Sequence, residues 1–380
     1  MEYKLKDIIT FKPGYAFKKS DMTDTGIDLV KIGNLKNNKV IIPSSVKIKE
    51  DTKFQDFIIN KGDILMALTG DPVYKGNIQT WVGRTSIYLN NKVAYLNQRV
   101  CKLIPNEKII FGDYLYYWLI RRDKTYEIAG LFHGSANQAN ISHKEVGEMF
   151  IELPSLEIQK KASNILSDID KKIELNNEIN NNLYEISKQL LLKYLDENKS
   201  SDEINISKFL NIFTGKKNAN ETSPTGKYKF FSCAPESLLS DTYLCDSAAI
   251  IVAGNGAYTG RTRFYDGKFE LYQRTYGLTL KDDFEKNNIY GLYVFMKTIF
   301  EPDKMGGTHG SAIPYIVLSD LTDYKLKYNK VEFDRFSNLV SGNIKMIQEN
   351  EKSNEKLSEL RDTLLPKLMN GEIDLDNIDI

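Results

Sequence analysis

The sequence predicts an α+β protein in which two mixed α/β domains are joined by two long helices that form an antiparallel coiled coil, with a pseudo-two-fold internal repeat. Three observations lead to this prediction. Short motifs recur at an offset of about 175 residues, two segments carry a three-four apolar spacing, and the segments before them have the composition of short strands and turns. The predicted boundaries are 1–153 and 201–328 for the mixed domains, 154–200 for the first helix, and 329–380 for the second helix and a tail.

The repeat is a series of matched motifs in the same order. HGSA occurs at residues 133–136 and 309–312, GRT at 83–85 and 260–262, and Gln-Arg at 98–99 and 273–274. An apolar pattern at 183–191 returns at 357–365. Any one match can arise by chance, but the series at a nearly constant offset predicts two copies of one unit.

The mixed domains are predicted from runs of β-forming residues that Gly, Asn, Asp or Pro bound. These runs are residues 40–46, 57–59, 64–68, 87–89 and 250–253. Each copy also holds an aromatic stretch of helical spacing, at 114–120 and 290–300. We expect these aromatic side chains to pack in the core rather than to stack on bases.

The first long helix is predicted to begin after a capping Ser155, and the second after Asn329, with Glu332 at capping-box spacing. The second should kink or stop near Pro366 and end at residues 370–371. The predicted apolar seams are Ile158, Ala162, Ile165, Ile169, Ile179, Leu183, Ile186 and Leu190 in the first helix, and Phe336, Leu339, Asn343, Met346, Asn350, Leu357, Leu360 and Leu364 in the second.

Helices of this length with a narrow apolar face need a partner, and each is the other's natural partner. An antiparallel pair would place one mixed domain at each end. Asn176 and Asn350 are equivalent in the repeat and lie near the helix midpoints. We therefore hypothesise that these two side chains meet across the seam, where a buried polar pair fixes the register.

Charge is balanced overall, with 51 basic and 51 acidic residues, but it is unevenly distributed. Residues 1–150 carry a net +6 and residues 201–330 a net +1, whereas 151–200 carry −2 and 331–380 carry −5. The mixed domains thus hold the positive excess and the helices the negative one. The zero balance alone would argue mildly against a nucleic-acid partner.

The expected location is the cytoplasm. The three cysteines match neither a zinc site nor a disulfide framework, which indicates a reducing compartment. The first residues lack the apolar core of a signal peptide, and no apolar run approaches the roughly 18 residues that span a membrane.

Five motifs in order resemble the specificity subunit of type I restriction-modification systems. They are KIGNL at 31–35, GDILMALTGD at 62–71, GSANQANIS at 134–142, ELPSLEIQ at 152–159 and LLPKLMNGEIDL at 364–375. The resemblance implies two target-recognition domains that alternate with two helical regions paired as a coiled coil, and a chain without catalysis of its own. It implies a double-stranded DNA target in two parts, two modification (methyltransferase) subunits, and restriction (endonuclease and translocase) subunits as partners. S-adenosylmethionine, ATP and Mg²⁺ would be bound by those partners, with no cofactor in this chain.

Base readout uses side chains that pair with base edges, such as Arg with guanine and Asn or Gln with adenine. The loops of the mixed domains supply such residues. The candidates in the first copy are Lys75, Asn77, Gln79, Thr80, Arg84, Gln98, Arg99, His133, Ser135, Asn137 and Gln138. Those in the second copy are Asn255, Tyr258, Arg261, Arg263, Gln273, Arg274, His309 and Ser311.

Residues that both copies retain, Arg84 with Arg261 and Arg99 with Arg274, are predicted to touch the common phosphate backbone. Residues that differ, such as Asn77 and Arg263, would set two different half-sites. A helix of forty residues spans about 60 Å, which limits the separation of half-site centres to roughly 18 base pairs. The expected target is bipartite and asymmetric, with an unread spacer.

Enzyme activities are disfavoured by what the motifs lack. The glycines at 254–260 are not followed by Gly-Lys-Ser/Thr, no amino-methyltransferase tetrapeptide occurs, and the three histidines have no carboxylate at ligand spacing. The alternative left open is a coiled-coil scaffold that binds proteins without reading DNA.

Overall fold

The structure, a computed structural model, describes residues 1–42, 46–75, 78–135, 138–300 and 314–375. It divides the chain into two units. Unit 1 comprises Met1–Lys172 and Lys356–Ile380, and unit 2 comprises Ile173–Glu355. No helix within the described ranges is both long and apolar enough to cross a membrane.

Unit 1 is built from short strands with helices at its margins. Its strands are β1 (Glu2–Lys4), β2 (Ile9–Pro13), β3 (Met22–Thr23), β4 (Ile27–Val30), β5 (Leu35–Lys36), β6 (Lys39–Val40), β7 (Lys47–Ile48), β8 (Ile58–Ile59), β9 (Ile64–Ala67), β10 (Thr69–Gly70), β11 (Thr85–Ile87), β12 (Ala94–Leu96), β13 (Val100–Pro105), β14 (His133–Ser135), β15 (Gln138–Asn140) and β16 (Phe150–Glu152). Its short helices are α1 (Leu5–Ile8), α2 (Gly112–Ile120), α3 (Arg122–Gly130) and α4 (His143–Gly147).

The first long helix, α5 (Leu156–Glu197), leads from unit 1 into unit 2. The strands that follow are β17 (Glu203–Asn205), β18 (Leu210–Thr214), β19 (Tyr228–Phe231), β20 (Leu238–Ser240), β21 (Cys245–Asp246), β22 (Ala249–Ala253), β23 (Thr262–Tyr265), β24 (Lys268–Leu271), β25 (Thr275–Leu280) and β26 (Lys325–Lys327). The remaining helices are α6 (Asn288–Ile299), α7 (Leu318–Thr322) and the second long helix, α8 (Lys330–Met369).

Sheet topology repeats between the two units, which confirms the internal repeat. The order β2-β13-β9-β11 in unit 1 corresponds to β18-β25-β22-β23 in unit 2. In a second sheet, β12 pairs in parallel with β4 and antiparallel with β8, and β24 pairs in the same senses with β19 and β21. The strand predicted over 40–46 is wrong, because β6 ends at Val40 and β7 begins at Lys47, with 43–45 outside the described residues.

The aromatic helices are part of the core, as predicted. In unit 1, Tyr114, Tyr117 and Trp118 of α2 are at most 4 % exposed. In unit 2, α6 is buried along nearly its whole length, with Phe295 and Met296 against the core that also holds part of α8. Burying an aromatic ring removes a large apolar area from water, so these helices anchor the sheets of each unit.

The long helices run antiparallel in unit 2, because the residue numbers of the partners on α8 decrease as those on α5 increase. Asn176 bonds to Asn354, Asn180 to Asn350, and Ser187 to Asn343. In unit 1 the same direction holds, since Ala162 and Leu166 of α5 share a core with the last turns of α8.

The predicted seam is wrong at four positions. Ile186, Leu339, Met346 and Leu360 are about half exposed, whereas Leu191, Val340 and Ile344 are buried. The buried face is wider than an a/d seam because each half-helix packs on its own mixed domain as well as on the other helix.

The hypothesis that Asn176 and Asn350 meet each other is corrected by the structure. Both contribute to the helix contact, but Asn176 Nδ2 donates to Asn354 Oδ1 and Asn350 Nδ2 donates to Asn180 Oδ1, each at 2.8 Å. Each asparagine thus pairs four residues along from its equivalent, because an antiparallel pair about a pseudo-two-fold axis brings together different positions unless the axis passes through one.

The helix ends agree with the predicted caps. Ser155 Oγ accepts from the Ile158 N–H, and Asn329 Oδ1 accepts from the Glu332 N–H. Helix α8 contains Pro366 and ends at Met369, and Gly371 has a φ of +70°. A glycine with positive φ is the usual terminator of a helix, since it allows the last carbonyls to be satisfied.

Candidate nucleic-acid interface

The same backbone frame holds the Gly-Arg motif in both units. The Gly83 N–H donates to Ala67 O at 2.8 Å, and the Ala67 N–H donates to Arg84 O at 3.0 Å. In unit 2, Ala253 makes the corresponding bonds with Gly260 and Arg261, both at 2.9 Å. Gly83 and Gly260 have φ values of +79° and +84°, which favour glycine over other residues. The two loops closed by this frame differ in length, with residues 68–82 in the first copy and 254–259 in the second.

A Gln-Arg turn lies beside that frame in each unit. Gln98 and Arg99 lie between β12 and β13, and Gln273 and Arg274 lie between β24 and β25, and all four are exposed. The carbonyls of Arg99 and Arg274 accept backbone N–H groups from the starts of the two loops, each at 2.9 Å. The predicted pairs are therefore brought to equivalent places with their side chains accessible.

A close glycine contact supports each turn. Gly14 lies against the carbonyls of residues 96–97, and Gly215 lies against those of 271–272, with no room for a Cβ atom at either position. Only glycine lets the backbone approach so closely. The turns that present the exposed arginines are thus rigidly packed from behind.

In unit 1, Arg99 is linked to the hairpin that carries the HGSANQAN motif. Arg99 Nη1 donates a long bond of 3.5 Å to Thr69 Oγ1, and Thr69 Oγ1 donates to Asn140 Oδ1 at 2.8 Å. Thr69 belongs to β10, which pairs with β15, where Gln138 is exposed. Arg99 and Gln138 therefore belong to one connected surface.

Arg84 does not have the free guanidinium that a phosphate contact needs. It donates to four carbonyls: Thr80 at 3.0 Å, Trp81 at 2.9 Å, Leu35 at 3.1 Å and Ile32 at 2.5 Å. Burial lowers the pKa of this arginine from its usual value. Its side chain joins the loop to the KIGNL motif.

The other loop candidates of unit 1 have different surroundings. The Gln79 Oε1 accepts the Asn37 N–H at 2.5 Å, and the Thr80 carbonyl accepts from Arg84, so both tie the loop to the domain. The Lys75 side chain is exposed. Neighbouring Tyr74, which sequence reasoning passed over, is 65 % exposed with its ring edge-on to Phe132.

His133 is exposed and its Nε2 lies 2.5 Å from Glu145 Oε1. This hydrogen bond lowers the pKa of the Glu145 carboxyl, which also accepts from the Ser142 N–H at the start of α4. The contact ties the base of the hairpin to α4. Asn77, Asn137, His309, Ser311 and the side chain of Ser135 lie outside the described part of the chain.

In unit 2, Asn255 lies at the start of the short loop. Its Oδ1 accepts from Cys233 Sγ at 3.1 Å, and Cys233 Sγ also lies 3.3 Å from the Arg274 carbonyl. Gln273 Nε2 donates to Asn218 Oδ1 at 2.9 Å. Cys233 thus links Asn255 to the Gln-Arg turn.

Two further candidate arginines of unit 2, Arg261 and Arg263, lie on aromatic rings. The Arg261 guanidinium is 4.3 Å from the centre of the Tyr258 ring, which is 39 % exposed. Arg263 lies over Phe231 and donates to the Ala234 carbonyl. Burial and the neighbouring Arg261 lower the pKa of Arg263 to about 10.

Thr69, Asn140 and Cys233 were not predicted as parts of this surface. Thr69 is buried and Cys233 is far along the chain from its partners, so neither shows a sequence signal. Asn140 lies within the GSANQANIS motif, which is the one sequence signal for this surface.

Comparison with known proteins gives a consistent match. Residues 1–185 match the family model described as the type I restriction modification DNA specificity domain. The chain is 32 % identical over 123 residues to the type I restriction enzyme EcoDI specificity subunit of Escherichia coli, covering 32 % of this chain and 26 % of that protein. It is 29 % identical over 174 residues to the MjaVIII specificity subunit of Methanocaldococcus jannaschii, covering 45 % and 40 %. The aligned regions thus span about a quarter to two fifths of these relatives.

Among solved structures, the crystal structure of a type I restriction-modification system S subunit from M. genitalium has a TM-score of 0.60 to this chain at 18 % identity. The match covers 97 % of this chain and 95 % of that one. At this identity the likeness concerns the fold, and it extends over both copies of the repeat.

Proposed function

The chain resembles the specificity subunits of type I restriction-modification systems, with the DNA specificity domain of that family at residues 1–185, and on this premise we propose that it is a DNA-reading subunit. Each mixed domain reads one half of a bipartite double-stranded target. The long helices set the spacing between the half-sites. The chain itself is non-catalytic, and its target is modified and cut by partner subunits.

The observation that carries this proposal is that the backbone frame around the Gly-Arg motif occurs twice. The family model ends at residue 185, but the Gly-Arg frame and the exposed Gln-Arg turn recur in unit 2 with the same hydrogen bonds. A second DNA-specificity domain is the simplest account of that recurrence. Loops of different length on identical frames would read different half-sites.

Two exposed apolar residues on the long helices are the basis for proposing partner subunits. Ile186 and Leu360 are equivalent in the repeat and are 53 % and 48 % exposed, so two matched apolar positions face solvent. Matched patches suit two copies of one partner. We assign them to two modification (methyltransferase) subunits, which would bind S-adenosylmethionine, and expect restriction subunits, with ATP and Mg²⁺, to join the complex.

Footprinting of the chain in complex with its methyltransferase subunit tests the function. We expect protection of two short sequences separated by an unprotected spacer, with binding that weakens steeply as salt rises. Absence of any sequence-selective protection would favour the alternative, a scaffold that binds proteins only.

A further inference from the structure

The loop of unit 1 between β10 and β11 is closed by contacts of its own. The Asp71 N–H donates to Thr80 O and the Val82 N–H donates to Asp71 O, each at 2.9 Å. Gly70 lies so close to the backbone of residues 80–82 that a Cβ atom would not fit. We call residues Asp71–Lys75 together with residues 78–84 the reading loop.

Two side chains fix this loop from inside. Trp81 is 7 % exposed, and its indole N–H donates to the Lys75 carbonyl at 3.0 Å. The Arg84 fork holds the loop carbonyls of Thr80 and Trp81 on one side and those of Ile32 and Leu35 on the other. A planar guanidinium satisfies four acceptors at fixed angles, which an ammonium group cannot do.

Two consecutive side chains of the reading loop, Tyr74 and Lys75, are exposed to solvent. Tyr74 is 65 % exposed, and the carbonyl that Trp81 holds is that of Lys75 itself. A large aromatic ring and a cation presented on a rigid support are suited to contact a base edge or a phosphate, since little conformational freedom is lost on binding.

The second copy organises the equivalent region differently. Its loop is nine residues shorter, and Arg261 lies on the exposed Tyr258 ring, while its side chain donates to no carbonyl among the described residues. The same arginine of the repeat therefore organises a long loop in unit 1 and supports a tyrosine in unit 2. Each loop also carries an exposed tyrosine, Tyr74 in unit 1 and Tyr258 in unit 2.

We propose that Arg84 is a positioning residue that preforms the reading loop, and that its exposed Tyr74 and Lys75 determine the sequence preference of the first recognition domain. This rests on the proposed DNA-reading function. Arg84 acts through the loop and does not touch DNA.

The Lys substitution separates this role from a phosphate contact. A phosphate contact keeps its charge in Arg84→Lys and binding is largely retained, whereas a four-carbonyl fork is lost in both Arg84→Lys and Arg84→Ala. We expect both variants to speed hydrogen exchange of the Asp71 and Val82 amides in the DNA-free chain by at least about tenfold. Exchange as slow as in the native chain for either variant would overturn the positioning role.

The roles of Tyr74 and Lys75 in base discrimination are tested by measuring the binding of randomised DNA to the complex with the methyltransferase subunit. We expect Tyr74→Ala with Lys75→Ala to reduce base discrimination by about tenfold at the first half-site only, with the second half-site unchanged. Lys108→Ala, an exposed lysine of the same unit, is the matched control for charge and should leave discrimination unchanged. Unaltered base preference in the double variant would overturn the reading role, and so would equal losses at both half-sites.

The experiments distinguish an error in the proposed DNA-reading function from an error in the role of Arg84. If the native complex shows no sequence-selective binding, the reading role of Tyr74 and Lys75 is overturned together with the DNA-reading function. The exchange rates of Asp71 and Val82 in the Arg84 variants still decide whether Arg84 organises the loop.

Discussion

Asn176 of α5 donates to the side-chain oxygen of Asn354 on α8 at 2.8 Å, and the repeat-related pair, Asn350 and Asn180, makes the same bond at the same distance. Two helices of one chain thus meet in a layer of amides where apolar side chains would pack more favourably. Such a layer disfavours other registers, because a shifted helix would leave the amides unpaired.

Replacing Asn176 alone by Leu should destabilise the protein. Asn176 is 2 % exposed, and its loss leaves Asn354 Oδ1 without this donor, at a cost of about 1–3 kcal/mol. The double variant Asn176→Leu with Asn354→Leu should recover most of that loss. Urea unfolding of the two variants and of Asn181→Ala, an exposed control, checks the expectation, which fails if the single variant is as stable as the native chain.

Arg361 is expected to stabilise unit 1 through Asp170. Its Nη1 lies 2.9 Å from Asp170 Oδ1, and both side chains are less than a quarter exposed. Burial alone would lower the pKa of the arginine, but the carboxylates of Asp170 and Asp362 outweigh it and raise that pKa above its usual value. The Tyr117 hydroxyl also donates to Asp170. Arg361→Met should cost about 3 kcal/mol, since it leaves a partly buried carboxylate without its cation. Chemical denaturation with Arg335→Met as an exposed control measures this, and equal stability of both variants would contradict it.

Acid should weaken the contact of Lys4 and Lys6 with Glu148, the residue that follows α4. Lys4 and Lys6 both bond to Glu148 and hold the pKa of its carboxyl at about 2, compared with an ordinary 4.5. A folded-state pKa below the unfolded one adds stability at higher pH, and this contribution is lost as the pH falls from about 4.5 towards 2. Thermal unfolding of Glu148→Gln should therefore vary less with pH in this window. The difference should shrink at high salt because the pair is exposed.

Substitution of Arg99 or Arg274 should weaken DNA binding without changing its sequence preference. Both are exposed on equivalent turns of the repeat, as expected of contacts to the common phosphate backbone. Each substitution by Ala should reduce the salt-dependence slope of binding by about one, measured by titration of the complex at several salt concentrations. A change of preference at one base would instead identify a base contact.

Ile186 and Leu360 should each support one modification subunit. Both side chains are about half exposed, so Asp substitutions should leave folding intact and disrupt only an apolar contact. Native mass spectrometry should then find one bound modification subunit for either single variant and two for the native chain. Leu192→Asp, another exposed leucine of α5, provides the control, and two bound subunits in every variant would exclude this surface.

The long helices illustrate how far periodicity leads. Their caps and approximate lengths follow from Ser155, Asn329 and the three-four spacing, which are local signals. The seam does not follow, because Leu339 and Met346 fit a heptad yet face solvent while Val340 and Ile344 pack against the mixed domain. The residues that bury this helix face come from elements distant in sequence, so the apolar periodicity of the helix alone does not predict which face is buried.

The arginines of the repeat show a second limit of prediction from the sequence. Arg84 and Arg99 are equally plausible DNA contacts in the sequence, and both recur in the second copy. Their difference arises from the four carbonyls that surround one and the exposed turn that presents the other. Backbone acceptors carry no residue signature, so the role of an arginine that binds them is visible only in three dimensions.

The Ala67 and Ala253 frames have a consequence for how such a protein changes over evolutionary time. Each frame closes a loop with the same hydrogen bonds, one of fifteen residues and one of six. The entropy of closure differs between these lengths by only about 0.8 kcal/mol. Segments of quite different size can therefore be exchanged at this joint with little penalty to the fold, so that new recognition can arise by insertion or deletion while the supporting core stays unchanged.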